Sequence, residues 1–258
     1  MAIEATHLQT GRVYRFVTDG EGFLDGRVPG PLAAAPATFR LVVRDPGYRS
    51  DPLDIRVQVV DAAQPGYLVI CDIDDTIAET GVTGSKVKLV ARVAASNAAD
   101  MRAYPGAAAT LRAFVQAGIP VVYVTAGPVE LAPRTTAFLD AHGFPEGALF
   151  MRHYEEDGIG SPLTFKRTRI DRLLADFPRR RLILIGDNGE ADLTLFHQLA
   201  ADTGRVASAY VRSTLKVTPG DPRYKGMVPF AAWSEVARHA GQVGFLRWMR
   251  AQRTAREH

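Results

Sequence analysis

Residues 67–76 read Tyr67-Leu68-Val69-Ile70-Cys71-Asp72-Ile73-Asp74-Asp75-Thr76. Five apolar residues, set off upstream by Pro65-Gly66, end abruptly in a cluster of acids. A short unbroken apolar run with β-branched residues predicts a strand buried on both faces, as in a parallel sheet. Open α/β sheets bind ligands beyond the carboxyl ends of their strands, so the acids stand where chemistry is placed. Residues i and i+2 of an extended segment share a face, which aims Asp72 and Asp74 at one site. Paired carboxylates repel, and a positive charge is needed to keep both ionised. Among hard cations with oxygen ligands, Mg²⁺ is the simplest choice.

Strand-then-helix alternation continues downstream. Strands are predicted at 67–72, 119–125, 147–151, 181–186 and 205–211, and helices near 106–117, 129–142, 166–176 and 190–200. A terminal helical stretch covers 230–253. This alternation predicts an α/β fold, a doubly wound parallel sheet with helices on both faces. Residues 79–104 interrupt it after the first strand. Within them Val87, Val90, Ala91, Ala94, Ala98 and Met101 keep helical spacing. A helix there is expected to act as a lid over the acids, with a structural helix packed on the sheet as the alternative.

Residues 1–64 read as a separate small β-sandwich-like domain ahead of a catalytic domain at 65–258. Strands are predicted at 13–17, 38–43 and 55–60, separated by turn chemistry such as Asp19-Gly20-Glu21-Gly22 and Asp45-Pro46-Gly47. In the last strand Ile55, Val57 and Val59 alternate with Arg56 and Gln58, a half-buried pattern.

With 47% apolar and 23% charged residues among 258, the composition is that of an ordinary globular protein. A formal charge of +3 is too mild to call for nucleic acid, and none is expected as a partner. The single cysteine, Cys71, rules out a disulfide framework and a Cys-rich zinc site. No basic leader with an apolar stretch and no apolar run of membrane-spanning length is evident, so a cytoplasmic location is expected, with at most peripheral membrane contact. Near the end, Phe245, Leu246, Trp248 and Met249 interleave with Arg247, Arg250, Arg253 and Arg256. Such a helix can lie on an anionic membrane, but helical spacing of apolar residues favours packing on the domain.

Four strand ends supply complementary groups. The first gives Asp72, Asp74 and Thr76. The second gives Thr125 followed by Ala126-Gly127-Pro128, a hydroxyl and a flexible turn at a helix start, which suits phosphate. Lys166 follows the third, and Gly186-Asp187-Asn188-Gly189-Glu190-Ala191-Asp192 follows the fourth. Asp75 reads as a turn residue, and Glu190 and Asp192 as first-turn acids of which one assists a metal. Arg152 and His153 after the third strand, and Arg212 after the fifth, either contact substrate or belong to the surface. The set fits phosphoryl transfer through an aspartyl-phosphate. A carboxylate nucleophile needs no deprotonation, but it must approach an anion, and Mg²⁺ with Lys166 would neutralise the repulsion. A second carboxyl, Asp74, is suited to protonate the leaving oxygen and then activate water.

These motifs, in this order over about residues 67–212, resemble those of the haloacid dehalogenase superfamily. More narrowly, Asp72 to Ile77, Tyr104-Pro105-Gly106, Tyr123 to Pro128, Phe177-Pro178 and Ile185 to Glu190 resemble the actin-patch-associated phosphatidate phosphatases, relatives of the lipin-type lipid phosphatases. The resemblance implies Asp72 as nucleophile and Asp74 as general acid/base, with Thr125 and Lys166 stabilising phosphate and intermediate. It also implies a metal held by Asp72, Asp187 and the Asp74 carbonyl, with Asp192 a further acid of the metal set. Thr76, Ala126, Gly127 and Arg152 are the expected phosphate and substrate contacts. The chain departs from the family at Thr125-Ala126-Gly127, at Asn188 where serine is favoured, and at Leu193 where proline is. The expected substrate is a phosphomonoester, first a lipid phosphate such as phosphatidate and second a soluble sugar phosphate or nucleotide. A third reading has the β domain recruit the chain to a partner, with catalysis secondary, but residues 1–64 carry no ligand signature.

Overall fold

The computed structural model describes residues 1–20, 22, 24, 28, 37–48, 50–57, 59–80, 101–157, 160–189, 191–216 and 220–247. The chain divides into two compact units, Met1–Asp61 and Ala62–His258.

In the first unit, β1 (Ala2–His7), β2 (Val13–Val17), β3 (Ala37–Val43) and β4 (Leu53–Val57) form one antiparallel sheet in the order β2-β1-β3-β4. Strand β1 was not legible in the sequence, because Ala-Ile-Glu-Ala-Thr-His lacks clean alternation. It nevertheless takes a central place, with Ala5 opposite Tyr14 on one side and Leu41 on the other. Ala5, Ala37 and Phe39 form the small core, against which Tyr14, Phe16, Val57 and Val59 pack. Strand β4 is an edge and starts at Leu53, two residues earlier than expected. Leu53 and Ile55 remain exposed, so the half-buried pattern is realised only at Val57 and Val59.

The second unit begins with β5 (Gly66–Cys71), the short β6 (Ala78–Glu79) and β7 (Arg102–Ala103), then α1 (Ala107–Gln116), β8 (Val121–Pro128) and α2 (Ala132–Ala141). It continues with β9 (Ala148–Arg152), α3 (Tyr154–Asp157), α4 (Pro162–Asp176), β10 (Arg180–Asp187), α5 (Asp192–Thr203), β11 (Val206–Arg212), β12 (Val228–Phe230) and α6 (Trp233–Gln242). Six strands form a parallel sheet in the order β12-β11-β10-β5-β8-β9. The apolar runs are unbroken because both faces are covered. Val69, Cys71, Val121, Tyr123, Ile183 and Ile185 face α1, α2 and α6 through Leu111, Phe114, Phe138 and Trp233. The alternate residues Leu68, Ile70, Val122, Val124, Leu182 and Leu184 face α4 and α5 through Phe165, Ile170, Phe196 and Leu199.

Several boundaries move. Residues 129–131 form a 3₁₀ turn before α2. Helix α4 starts at Pro162, where the Ser161 hydroxyl accepts the Thr164 N–H at 3.2 Å, a capping signal stronger than the apolar spacing used to place it. The terminal stretch opens as β12, which adds to the sheet edge beside β11, where Pro229 costs no interior ladder bond. Phe245 is buried and Leu246 packs against the core, in line with the packing reading. Trp248, Met249 and the arginines after them lie outside the described residues. So does most of the expected lid, including the helical spacing from Val87 to Ala98. Its two ends are described. Ala78 pairs with Ala103 and Glu79 with Arg102, so the insertion leaves and re-enters at adjacent points.

Candidate active site

Chain order runs outward from β5 through β8 to β9, then returns to β10 on the other side of β5. The reversal opens a crevice at the strand ends, the usual place for a ligand in such a sheet. Asp72 stands at the end of β5 and Asp187 at the end of β10, on either side of it.

The loop after β5 is tightly wound. Asp72 N–H donates to the Ile185 carbonyl at 2.9 Å, and the Ile73 carbonyl accepts from Thr76, Ile77 and Ala78 at 3.0–3.2 Å. Asp75 has φ +51°, the only non-glycine residue with positive φ among those described, and its Oδ1 accepts the Thr80 N–H at 3.0 Å. Aspartate tolerates this conformation better than most residues, so Asp75 shapes the turn. Arg212 braces the same turn, donating to the Asp75 carbonyl at 2.9 Å while its guanidinium stacks 3.4 Å from the Tyr104 ring centroid. The Trp233 indole N–H donates to the Thr76 carbonyl at 3.2 Å.

Lys166, in the second turn of α4, is 2% exposed. Its ammonium donates to Asp72 Oδ1 at 2.7 Å and to Asp192 Oδ1 at 2.6 Å. Asp192 opens α5 and approaches β10 closely because residue 186 is glycine. A Cβ on Gly186 would lie 2.7 Å from the Asp192 Cβ. Asp72, Asp187 and Asp192 each bring a carboxylate oxygen within 4.8 Å of the others, and all three residues are buried. The Asp74 carboxylate is not part of this trio, and Glu190 lies outside the described residues.

These groups fit a hard divalent cation. They offer only oxygen, and Oδ1 of Asp187 is buried without a hydrogen-bond partner among the described residues. An orphaned anionic oxygen is costly unless a cation completes it. The electrostatics agree. Burial, with repulsion from Asp192, pushes Asp187 up to about 6, against the pull of the Gly189 N–H, Lys166 and Thr214. Burial also drives the Asp72 carboxyl well above the usual range, with Lys166 opposing and Asp192 and Asp74 adding to the rise. Burial works against the Lys166 charge, but Asp192 and Asp72 outweigh it and hold the ammonium above the ordinary lysine range. One lysine cannot balance three buried carboxylates.

The other side of the crevice is arranged differently. Asp74 is only partly buried, and its Oδ2 accepts the Thr125 hydroxyl at 2.8 Å. Burial raises its carboxyl above the normal range, and the Thr125 bond and Lys166 moderate the rise. Thr125 Oγ1 in turn accepts the Gly127 N–H at 3.0 Å. The Thr125 hydroxyl, expected on phosphate, is therefore spent on Asp74 here, as is the Gly127 N–H on Thr125. Ala126 and Gly127 are half-buried at the end of β8. Thr76 is fully buried, with its hydroxyl donating to Asp72 Oδ2 at 3.0 Å. Arg152 ends β9 in register with Pro128; its guanidinium donates to the Gly160 carbonyl and lies 4.7 Å from the Tyr154 ring centroid.

Three features escaped the sequence reading. Thr214 donates to Asp187 Oδ2 at 3.1 Å, Asn188 ties its own loop to residues 214–215, and Gly186 makes room for Asp192. Only the glycine left a signal, as a residue without a side chain directly before an acid.

A parallel sheet reversing at an Asp-x-Asp strand end, with a buried lysine and paired acids across the crevice, defines a haloacid dehalogenase-type fold. The chain belongs to the family described as phosphatidate phosphatase APP1, catalytic domain, whose family model matches residues 67–213. It is 28% identical over 170 residues to phosphatidate phosphatase APP1 of Saccharomyces cerevisiae, covering 63% of this chain and 28% of that one. It is 25% identical over 155 residues to an uncharacterized protein of Schizosaccharomyces pombe, covering 58% and 26%. The chain thus spans about a quarter of the length of the curated relatives it matches. Among solved structures, a hydrolase of the haloacid dehalogenase family from Deinococcus radiodurans aligns with TM-score 0.44 and 19% identity, covering 72% of this chain and 98% of that one. A D,D-heptose 1,7-bisphosphate phosphatase from B. bronchiseptica aligns with TM-score 0.43 and 16% identity, covering 68% and 98%.

Proposed function

We propose that the chain is a Mg²⁺-dependent phosphomonoester hydrolase working through an aspartyl-phosphate on Asp72, with a lipid phosphate of the phosphatidate type as substrate. The observation that carries this reading is the division of the acids. Asp72 shares a lysine with Asp192, whereas Asp74, two residues on, is held apart by Thr125. Mg²⁺ at Asp72, Asp187 and Asp192 would supply the charge neutralisation that an incoming phosphate requires.

Ionised Asp72 attacks phosphorus as the bond to the leaving alcohol breaks, and Asp74 gives its proton to the departing oxygen. The raised Asp74 carboxyl suits that acid role. Now a carboxylate, Asp74 takes a proton from water, which attacks phosphorus and frees Asp72 with inorganic phosphate. Thr125 keeps Asp74 oriented, and Lys166 holds positive charge beside Asp72 through both steps.

Family membership supports the lipid substrate, and the Saccharomyces relative is named a phosphatidate phosphatase. Such a substrate is met at a membrane surface. Among the described residues no helix is long and apolar enough to cross a membrane; the proposed contact is peripheral, made from the cytoplasm. The test is phosphate release from an aryl phosphate, from phosphatidate in mixed micelles and from a panel of sugar phosphates and nucleotides. Turnover is expected with Mg²⁺ and phosphatidate, and its loss with chelator or in Asp72→Asn. Failure on every ester would sink the hydrolase reading, and turnover of soluble esters alone would sink the lipid one.

A further inference from the structure

Asp187 can serve a cation only if its carboxylate is turned one way. Its Oδ2 is already engaged by the Gly189 N–H at 2.8 Å and the Thr214 hydroxyl at 3.1 Å. Its Oδ1 is left buried and bare among the described residues. We infer that Thr214 and Asn188 are positioning residues that fix this orientation and thereby set the metal affinity of the site, a role that rests on the metal reading above.

Asn188 carries the argument. Its Oδ1 accepts the N–H groups of Thr214 at 2.8 Å and Leu215 at 2.9 Å. Its Nδ2 donates to the Leu215 carbonyl and to the Tyr224 hydroxyl, both at 2.9 Å. Two lone pairs and two protons are the full capacity of a side-chain amide. Exchanging the amide O and N would set protons against two N–H donors, so the network fixes the orientation. The Asn188 N–H itself donates to the Arg212 carbonyl at 3.1 Å. The loop after β11 is thus fastened to the loop after β10 mainly through one side chain.

That fastening decides where the Thr214 proton goes. Thr214 Oγ1 also lies 2.9 Å from Asn188 Oδ1. This oxygen already holds two N–H donors, however, and an ionised Asp187 is the stronger acceptor. The single hydroxyl proton is therefore directed to Asp187 Oδ2, which leaves Oδ1 as the oxygen open to a cation. A valine in place of Thr214 keeps the shape and removes the proton. A serine in place of Asn188 is too short, and has too few donors, to make the four bonds.

The experiment is calorimetric titration of Mn²⁺, as a Mg²⁺ surrogate, into the metal-stripped full chain. Thr214→Val should bind roughly 10–100-fold more weakly, the range typical of groups that orient metal ligands, while Thr214→Ser stays within about threefold of the native protein. Asn188→Ser should weaken binding about tenfold. Thermal melting of the metal-free variants identifies misfolding. Native affinity in Thr214→Val overturns the inference, and so does a Thr214→Ser variant as weak as valine, which would trace the loss to packing. Should Thr214→Val not fold, Asn188→Ser decides, and native affinity there overturns the inference. If the native chain takes up no Mn²⁺, the metal reading falls and this one with it. Tight binding in both native and variant chains removes only this inference.

Discussion

The two sides of the crevice are built on opposite electrostatic terms. On the β10 side, three buried acids crowd one lysine, and the imbalance is relieved only by added positive charge. On the β8 side a single, partly buried acid rests on one neutral hydroxyl, and its raised carboxyl favours keeping a proton. Two aspartates separated by one residue thus meet different surroundings, because the chain winds tightly after Asp72 and sets Asp74 against Thr125 of β8 while Asp72 stays against Lys166. The difference teaches that the role of an acid here is set by what the adjacent strand presents.

Replacement of the shared residue gives the largest effect. Asp72→Asn should lower turnover on the order of 10⁴-fold or more, with no phosphoenzyme on acid quench. Retained turnover would move the nucleophile elsewhere and dissolve the comparison. Asp74→Asn comes next, with a loss of roughly 10²–10⁴-fold that is smaller for aryl phosphates, whose leaving groups need little protonation. Its metal affinity should stay native. A large fall in Mn²⁺ binding in this variant would merge the two sides into one.

The third test reads the acid-crowded side by stability. In the metal-free protein Asp187 holds its proton up to about 6, against 3.8 for an ordinary aspartate. Between these values the folded state binds more protons than the unfolded one, so stability is full below the lower value and falls as pH rises through about 6. Asp187→Asn should remove that slope and stabilise the metal-free fold at neutral pH by at most about 3 kcal/mol, while losing metal binding. Melting curves with chelator check this, and a destabilised variant would contradict the crowding argument. In the native protein, metal affinity should weaken as pH falls below about 6, because a proton competes for Asp187. The smallest effect is on the hydroxyl side. Thr125→Val should cost about 1 kcal/mol of fold stability and shift the alkaline limb of the kcat/KM pH profile, where Asp74 must keep its proton, toward higher pH, since one bond to the ionised Asp74 is lost.

The parallel sheet was legible in the sequence because burial on both faces writes uninterrupted apolar runs, as in Leu182 to Ile185. Strand β1 was not, since its small and polar residues give no period, and its place follows from pairing with two neighbours. Strand β12 has three residues, too few for a pattern. In the site, Asp72, Asp74, Asp187 and Asp192 announced themselves as acids after apolar runs. Lys166 stood beside Arg167 and Arg169, and its burial depends on the tertiary approach of α4. Thr214 meets Asp187 and Asn188 across 27 and 26 residues of chain, and no local signal foretells that.

Trp233 adds an optical consequence. Its indole is 1% exposed and hydrogen-bonded to the carbonyl of Thr76, four residues after Asp72. The chain has only one other tryptophan, Trp248, so Trp248→Phe would leave a single tryptophan wired to the loop after β5. Any event that shifts that loop would alter the polarity felt by the ring, so the proposed phosphorylation of Asp72 would be read as a change in the protein's own fluorescence, without a label.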